Sequence, residues 1–314
     1  MASTNTGPAE RAYSYLGPAG TFTEAALAQV PEAQGALWRP AHNVAEALDD
    51  VVSGRSVAAM IAIENSVEGG VTATQDALAN IPGLRIVGEY LVSVTFDLVV
   101  RPGTALADVA VINAHPVAYA QCATWLQKNV PAHGHIPSPS NVAAAADLLA
   151  SGVADAAIAP PGISAHYDVE VLAQGIGDNA NAQTRFVLVS TSTQVPDPTG
   201  ADKTSLIVEL PEDRAGALLE MLEQFATRGI NLSLIQSRPV GDGMGRYLFV
   251  IDADGHVREE RMADALLGLR RFSPRVTFLG SYPRADRATT QPDEHYADTA
   301  FHEARAWLDD ILNG

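Results

Sequence analysis

A two-lobed α/β domain followed by a ferredoxin-like βαββαβ unit is the architecture that this 314-residue sequence predicts. Three observations predict it. Short apolar runs alternate with alanine-rich helical stretches from residue 13 to about residue 190, the signature of an α/β fold. A stretch rich in Thr, Ser, Pro, Asp and Gly at 191–202 then interrupts the rhythm and reads as a linker. Beyond it, four strand-like and two helix-like segments follow in the order of one βαββαβ unit at 203–282.

The elements can be justified in order. Residues 13–17 form a first strand that runs through Pro18-Ala19-Gly20 into a helix, for which Thr21 or Thr23 supplies a cap. Asn43 is an N-cap for a helix at 44–52, ended by Ser53-Gly54. The continuous apolar run at 57–63 reads as a buried parallel strand. It ends in Glu64-Asn65-Ser66, and Gly69-Gly70 then precede a helix at 71–79. A β-rich stretch at 84–100 leads through Arg101-Pro102-Gly103 to a strand at 109–114, with Pro116 in the first turn of the next helix. Ser140-Asn141 precede a helix at 142–150, and 154–159 is another buried strand. The strand at 184–189 returns to the first lobe, so the lobes are expected at about 13–84 plus 180–190 and at about 85–179, with a cleft between them.

In the C-terminal unit the strands fall at about 203–210, 230–238, 246–251 and 275–282, and the helices at about 215–227 and 258–269. Residues 1–12 read as a frayed tail. Residues 283–314 read as a polar tail ending in a helix with Phe301, Ala304, Trp307, Leu308, Ile311 and Leu312 on one face. Trp307 predicts that this helix docks on the body or on a neighbouring chain, because a solvated helix has no use for it.

Composition narrows the function. With 47% hydrophobic and 18% charged residues the chain is expected to pack as a globule. It has no apolar run of eighteen residues and no basic-then-apolar leader, so neither a membrane span nor an export signal is expected. The single cysteine, Cys122, cannot pair within the chain, which fits a reducing cytoplasm. No Cys/His cluster has zinc-ligand spacing, and His133 and His135 read as a loop or strand edge. A formal charge of −17 argues against nucleic acid. It also repels anions at long range, so an anionic substrate would need local positive potential from Arg, Lys or helix N-termini.

Polar strand ends are where α/β folds build sites. Three stand out: Glu64-Asn65-Ser66, Asn113-Ala114-His115-Pro116 and Gln183-Thr184-Arg185. Each alone is equally well a capped turn; together with residues 17–22 they point to a shared cleft. No Walker A lysine motif is present and no GxGxxG follows the first strand. Glu, Asn, Ser, Thr, Gln and one Arg can bind carboxylates, donate hydrogen bonds and assist a leaving group. Arg185 is either the bidentate partner of a substrate carboxylate or an ion pair with one of the many acids. Backbone N–H groups near Thr21 and Asn141 can hold a second carboxylate.

Gly-Pro-Ala-Gly-Thr-Phe-Thr at 17–23, Ile-Glu-Asn-Ser-Val-Glu-Gly at 63–69, His115-Pro116 and Thr184-Arg185-Phe186 resemble, in order, the motifs of the prephenate dehydratase family. Gly216-Ala217-Leu218 and Gln236-Ser237-Arg238-Pro239 resemble the two ligand motifs of the ACT regulatory domain, and the likeness covers residues 13–282. It implies a periplasmic-binding-protein-like catalytic domain at 13–190 and an ACT domain at 203–282. The implied reaction is the decarboxylative dehydration of prephenate to phenylpyruvate in phenylalanine biosynthesis, by a carbon-oxygen lyase with no metal or organic cofactor.

The resemblance further implies that Thr184 assists the departing hydroxyl, by a hydrogen bond relayed from Glu64 or water. Asn65, Ser66 and Gln121 are expected to orient the substrate, with Arg185, Phe186, Thr21, Phe22 and His115 binding it. It implies L-phenylalanine as effector between the ACT domains of a homodimer or homotetramer, bound through Gly216, Ala217, Leu218, Asn231, Gln236, Ser237 and Arg238. Gln236 stands where the family motif usually begins with Glu. Competing readings are an arogenate dehydratase, a non-catalytic two-lobed binding protein and a purely regulatory ACT sensor.

Overall fold

The computed structural model describes residues 11–67, 69–240, 246–289 and 291–314. Most of the expected N-terminal tail and Glu68 of the 63–69 motif therefore lie outside the described residues. In chain order the elements are β1 (Ala12–Leu16), α1 (Phe22–Leu27), β2 (Leu37–Ala41), α2 (Val44–Val52), β3 (Ala58–Asn65), β4 (Gly69–Gly70), α3 (Thr72–Asn80), β5 (Arg85–Ser93) and β6 (Asp97–Val100). There follow β7 (Val111–Ala114), α4 (Pro116–Gln121), α5 (Ala123–Asn129), β8 (Gly134–Pro137), α6 (Asn141–Ser151), β9 (Ala156–Ala159), β10 (Glu170–Ala173) and β11 (Gln183–Ser190). The C-terminal part holds β12 (Asp202–Glu209), α7 (Ala217–Ala226), β13 (Leu232–Pro239), β14 (Tyr247–Asp254), α8 (Glu260–Phe272), β15 (Val276–Pro283) and α9 (Asp298–Asn313).

The chain divides into two compact units. The first comprises the residues up to Val71 together with Tyr90–Phe186; the second comprises Thr72–Glu89 with Val187–Gly314. The sequence places 72–84 in the first lobe, and the structure groups it with the C-terminal unit instead. The reason is non-local: the partners of α3 lie some 160 residues further along the chain, where no periodicity reveals them.

One sheet has the order β2-β1-β3-β11-β5, with β4 paired to β3. β1 runs parallel to β2 and to β3, as the apolar run at 57–63 predicts. A second sheet has the order β10-β6-β9-β7-β8. β5, which the sequence places at the start of the second lobe, belongs instead to the first sheet, because it lies beside the returning strand β11. Helix starts are set by side chains: Thr21, Asn43 and Ser140 accept the N–H of Glu24, Glu46 and Ala143, each cap worth about 1 kcal/mol. β7 buries Ile112 and Ala114 against Ala118 and Leu126 of α4 and α5. Val142 and Leu148 of α6 pack with Ala157 and Ala159 of β9.

In the second unit the sheet order is β13-β14-β12-β15, antiparallel throughout. Met221 and Phe225 of α7, with Met262, Ala265 and Leu269 of α8, pack on Leu206, Val208 and Ile251. Register settles what the other face carries. Gln236 and Arg238 lie opposite Val250 and Leu248, which alternate with the helix-facing Phe249 and Ile251. Successive side chains point to opposite faces, so Gln236 and Arg238 belong to the face turned away from α7 and α8.

The C-terminal helix is attached to the body by polar contacts. α9 forms as the periodicity predicts, but it has no buried residue, and Trp307 is 64% exposed. Polar contacts hold it to α8 instead: Glu260 N–H donates to Asp298, while Glu260 accepts from Arg305 and His302. The Arg305 hydrogen bond first, then His302, holds the Glu260 carboxyl at about 2, below its ordinary value of 4.5. A depressed carboxylate contributes above its unfolded value and loses that contribution as pH falls through the folded one. α9 is therefore expected to stay on α8 at neutral pH and to loosen as pH falls from about 4 towards 2. Glu260→Gln should loosen it at pH 7, seen as faster amide exchange along α9. Unchanged exchange would assign the attachment to other contacts.

Candidate active site

The end of β3 and the start of β11 lie side by side and exchange four hydrogen bonds. Ser66 N–H donates to the Gln183 carbonyl, and Gln183 N–H donates to Ser66 Oγ, both at 2.9 Å. One residue inward, Asn65 Nδ2 donates to Thr184 Oγ1 at 3.0 Å. One residue further, Arg185 Nε donates to Glu64 Oε2 at 3.0 Å. The pairs 66–183, 65–184 and 64–185 make the two strands antiparallel here.

The hydrogen-bond roles follow from the donor inventory. Asn65 Oδ1 accepts from Val67 N–H at 2.8 Å, which turns its amide NH₂ towards Thr184. Thr184 thus accepts from Asn65, and a hydroxyl that accepts still has its proton to donate. Thr184 is 7% exposed and Arg185 6%, so both act where hydrogen bonds and charge are less screened than in water. Glu64 bonds Arg185 while Thr184 bonds Asn65. Glu64 thus orients the guanidinium, and among the described residues it makes no direct bond to Thr184. Arg185 is ion-paired, as one of the two readings offered for it expects, and it sits one residue from Thr184 in the same strand.

The remaining predicted residues sit elsewhere in the first unit. Thr21 donates to the Leu16 carbonyl and accepts from Glu24 N–H, so its hydroxyl caps α1. Gly20 has φ +88°, and a Cβ there would stand 2.9 Å from Ile163 Cδ1, which explains a glycine at this turn. Phe22 meets Phe96 edge-on, with ring centroids 5.8 Å apart. His115 caps α4 by accepting Val117 N–H, and its own N–H donates to Asn141 Oδ1, joining the starts of α4 and α6. Gln121 ends α4, where its carbonyl accepts from Asp178 N–H. Phe186 is 2% exposed, within the run 184–189 of β11 that is buried throughout. The structure therefore brings Glu64, Asn65, Ser66, Thr184 and Arg185 together and places Thr21, Phe22, His115 and Gln121 on helix ends.

Burial pushes the Cys122 thiol up to about 12, so it is not a thiolate near neutral pH. Among the described residues no group of three or more His, Cys, Asp or Glu side chains can hold a metal ion. Among the described residues no helix is long and apolar enough to cross a membrane.

In the second unit, Gly216 caps α7 with φ +88°, Ala217 is buried and Leu218 is exposed. Asn231 Nδ2 donates to Asp254 Oδ2 at 2.8 Å. Arg238, Leu248 and Glu209 stand in line across β13, β14 and β12, so the chain leaves β12 for the Gly216 turn at the sheet end where Arg238 lies. Sequence reasoning missed one feature of this motif: Gln236 accepts from Gln75, and Arg238 pairs with Asp76. No local signal marks either partner.

Residues 13–194 match the family model for prephenate dehydratase, and residues 204–271 match that for the ACT domain. The chain belongs to the prephenate dehydratase family. It is 39% identical over 309 residues to the prephenate dehydratase of Mycobacterium marinum, with 96% of each chain covered. The prephenate dehydratase of Arthrobacter aurescens, solved in complex with L-Phe, superposes with a TM-score of 0.93 at 52% identity, covering 96% of this chain and all of that one. A protein described as a novel type of quorum-quenching acylase superposes with a TM-score of 0.78 at 29% identity, covering 87% of this chain and 97% of that one. Prephenate dehydratases are enzymes, and the ordered family motifs include the bonded strand ends just described.

Proposed function

We propose that the chain is a carbon-oxygen lyase that converts prephenate to phenylpyruvate, carbon dioxide and water, under control by L-phenylalanine. The observation that carries the reading is the Asn65–Thr184 pair, with the Arg185–Glu64 pair beside it, at positions matching the family motifs. In the reaction the ring carboxylate leaves as carbon dioxide, its bonding electrons enter the ring, and the ring hydroxyl departs as water. Aromatisation drives the step, so the protein has two tasks.

The first is to stabilise the departing hydroxyl. Thr184, held by Asn65 and with its proton to donate, serves as a positioned hydrogen-bond donor to that oxygen. A threonine hydroxyl is a weak acid, so this bond stabilises the hydroxyl as it leaves with the C–O electrons, and solvent supplies the proton that completes the water. The second task is to hold an anion in a protein of charge −17. Arg185, next to Thr184 in β11 and ion-paired with Glu64, is at the position the family motif supplies, which supports it as the local cation for a substrate carboxylate.

The site hydroxyls favour this over the acyl transfer suggested by the neighbour described as an acylase. Thr184 bonds an amide and Ser66 bonds a backbone N–H; neither is paired with the base that a nucleophile needs. For the effector, support comes from the L-Phe complex of the Arthrobacter aurescens neighbour and from the ACT match. An effector site shared by two ACT domains would make the working form a homodimer or homotetramer, in the cytoplasm.

Purified protein is expected to form phenylpyruvate from prephenate, with L-phenylalanine at or below millimolar concentration altering the rate and giving binding heat by calorimetry. Turnover of arogenate alone would redirect the assignment to the amino substrate. Well-folded protein that turns over neither substrate would support the binding-protein reading.

A further inference from the structure

α3 is gripped by the strand that carries the proposed effector motif. Arg238 donates from Nε and Nη2 to the two carboxylate oxygens of Asp76, at 2.9 and 2.8 Å. Beside it, Gln75 Nε2 donates to Gln236 Oε1, and Gln75 is 1% exposed. At the far end of α3, Arg275 donates to the Ala79 carbonyl. A bidentate guanidinium–carboxylate pair fixes distance and orientation together, and a buried amide that loses its partner bears a desolvation penalty. Two side chains of the effector motif, Gln236 and Arg238, are thus already engaged with α3 through the sheet face away from α7 and α8.

The other end of α3 is tied just as closely. The helix starts at Thr72, and the N–H of the preceding residue, Val71, donates to the Ile63 carbonyl at 2.8 Å. Gly70 pairs with Glu64 and Gly69 with Asn65 in the short β3–β4 ladder. Displacement of α3 therefore acts on a backbone already laddered to the residues that hold Thr184 and Arg185. A slack loop would absorb such a movement; a paired strand passes it on.

We propose that α3 is the lever of regulation: a change in β13 on effector binding reaches Asn65 through the Arg238–Asp76 and Gln236–Gln75 grips and the β4 tether. Asp76 and Gln75 are positioning residues, which act through Arg238 and Gln236 of β13. The proposal rests on the reading of L-phenylalanine as effector.

The test compares wild type, Asp76→Ala, Gln75→Leu and Asp76→Glu as full chains. L-phenylalanine affinity is read by calorimetry, and kcat and KM for prephenate with and without saturating L-phenylalanine. A coupling of ordinary size changes substrate affinity about 5–150-fold. Asp76→Ala and Gln75→Leu should bind L-phenylalanine within about threefold of wild type while that response falls towards unity, and Asp76→Glu should restore part of it. Full response in both disrupted variants would overturn the lever. Amide exchange at 63–71, measured without effector, separates this result from failure of the effector reading. It should accelerate at least about tenfold in Asp76→Ala, as expected when local opening loses a tertiary restraint. Unchanged exchange there would remove the tether whether or not L-phenylalanine binds.

Discussion

Thr184→Val is expected to lower kcat/KM for prephenate by about 10²–10⁴-fold, the usual contribution of positioned acid assistance. Valine keeps the shape and β-branching of threonine, so β11 should still form. It removes the one hydroxyl that is both fixed by Asn65 and able to donate. The loss should fall mainly on kcat, because the bond strengthens as the ring hydroxyl departs. Asn65, which is partly buried, loses this acceptor, so rates must be normalised to folded protein. Thr184→Ser, which keeps the hydroxyl, is the control and should recover most of the activity. A loss below tenfold in folded Thr184→Val would remove Thr184 from the chemistry.

Phe186→Ala is expected to lower stability by about 3–5 kcal/mol, the range for truncating a buried aromatic. In a domain of this size that corresponds to a fall in Tm of roughly 6–20 °C. The side chain is 2% exposed, two residues from Thr184, and the sequence reading makes it a substrate contact. The two roles separate in one experiment at a temperature where the variant is folded. A core residue leaves KM within a few-fold while Tm collapses. A raised KM with an unchanged melting temperature would return Phe186 to the substrate.

What could be read in the sequence follows from how local its cause is. β3 was legible because a strand buried on both faces must be apolar throughout. α2 and α6 were legible because Asn43 and Ser140 cap them through bonds three residues long. β2 and β8 were not: each lies at a sheet edge, where Trp38-Arg39-Pro40 or Gly134-His135 is tolerated and no apolar run is needed. The helical face of α9 was legible, but not its polar attachment through Glu260. In the site, the strand-end motifs identified Glu64, Asn65, Ser66, Thr184 and Arg185, yet the pairing of Asn65 with Thr184 and of Glu64 with Arg185 is a matter of register between distant strands. Gln75 and Asp76 lay beyond any local signal, because what commits them is β13.

Asn65 and Thr184 are 119 positions apart in the chain, and that separation bears on how the protein comes into being. Closing a loop of that length costs on the order of 4 kcal/mol in chain entropy before any contact across it is rewarded. On the ribosome, β1, β2 and β3 emerge with the edge of β3 still unpaired, waiting while the second sheet is made. Contacts between such distant residues form slowly, so catalytic competence is among the last properties the nascent chain acquires. A chain stopped short of Gln183 would carry most of the family motifs and no site.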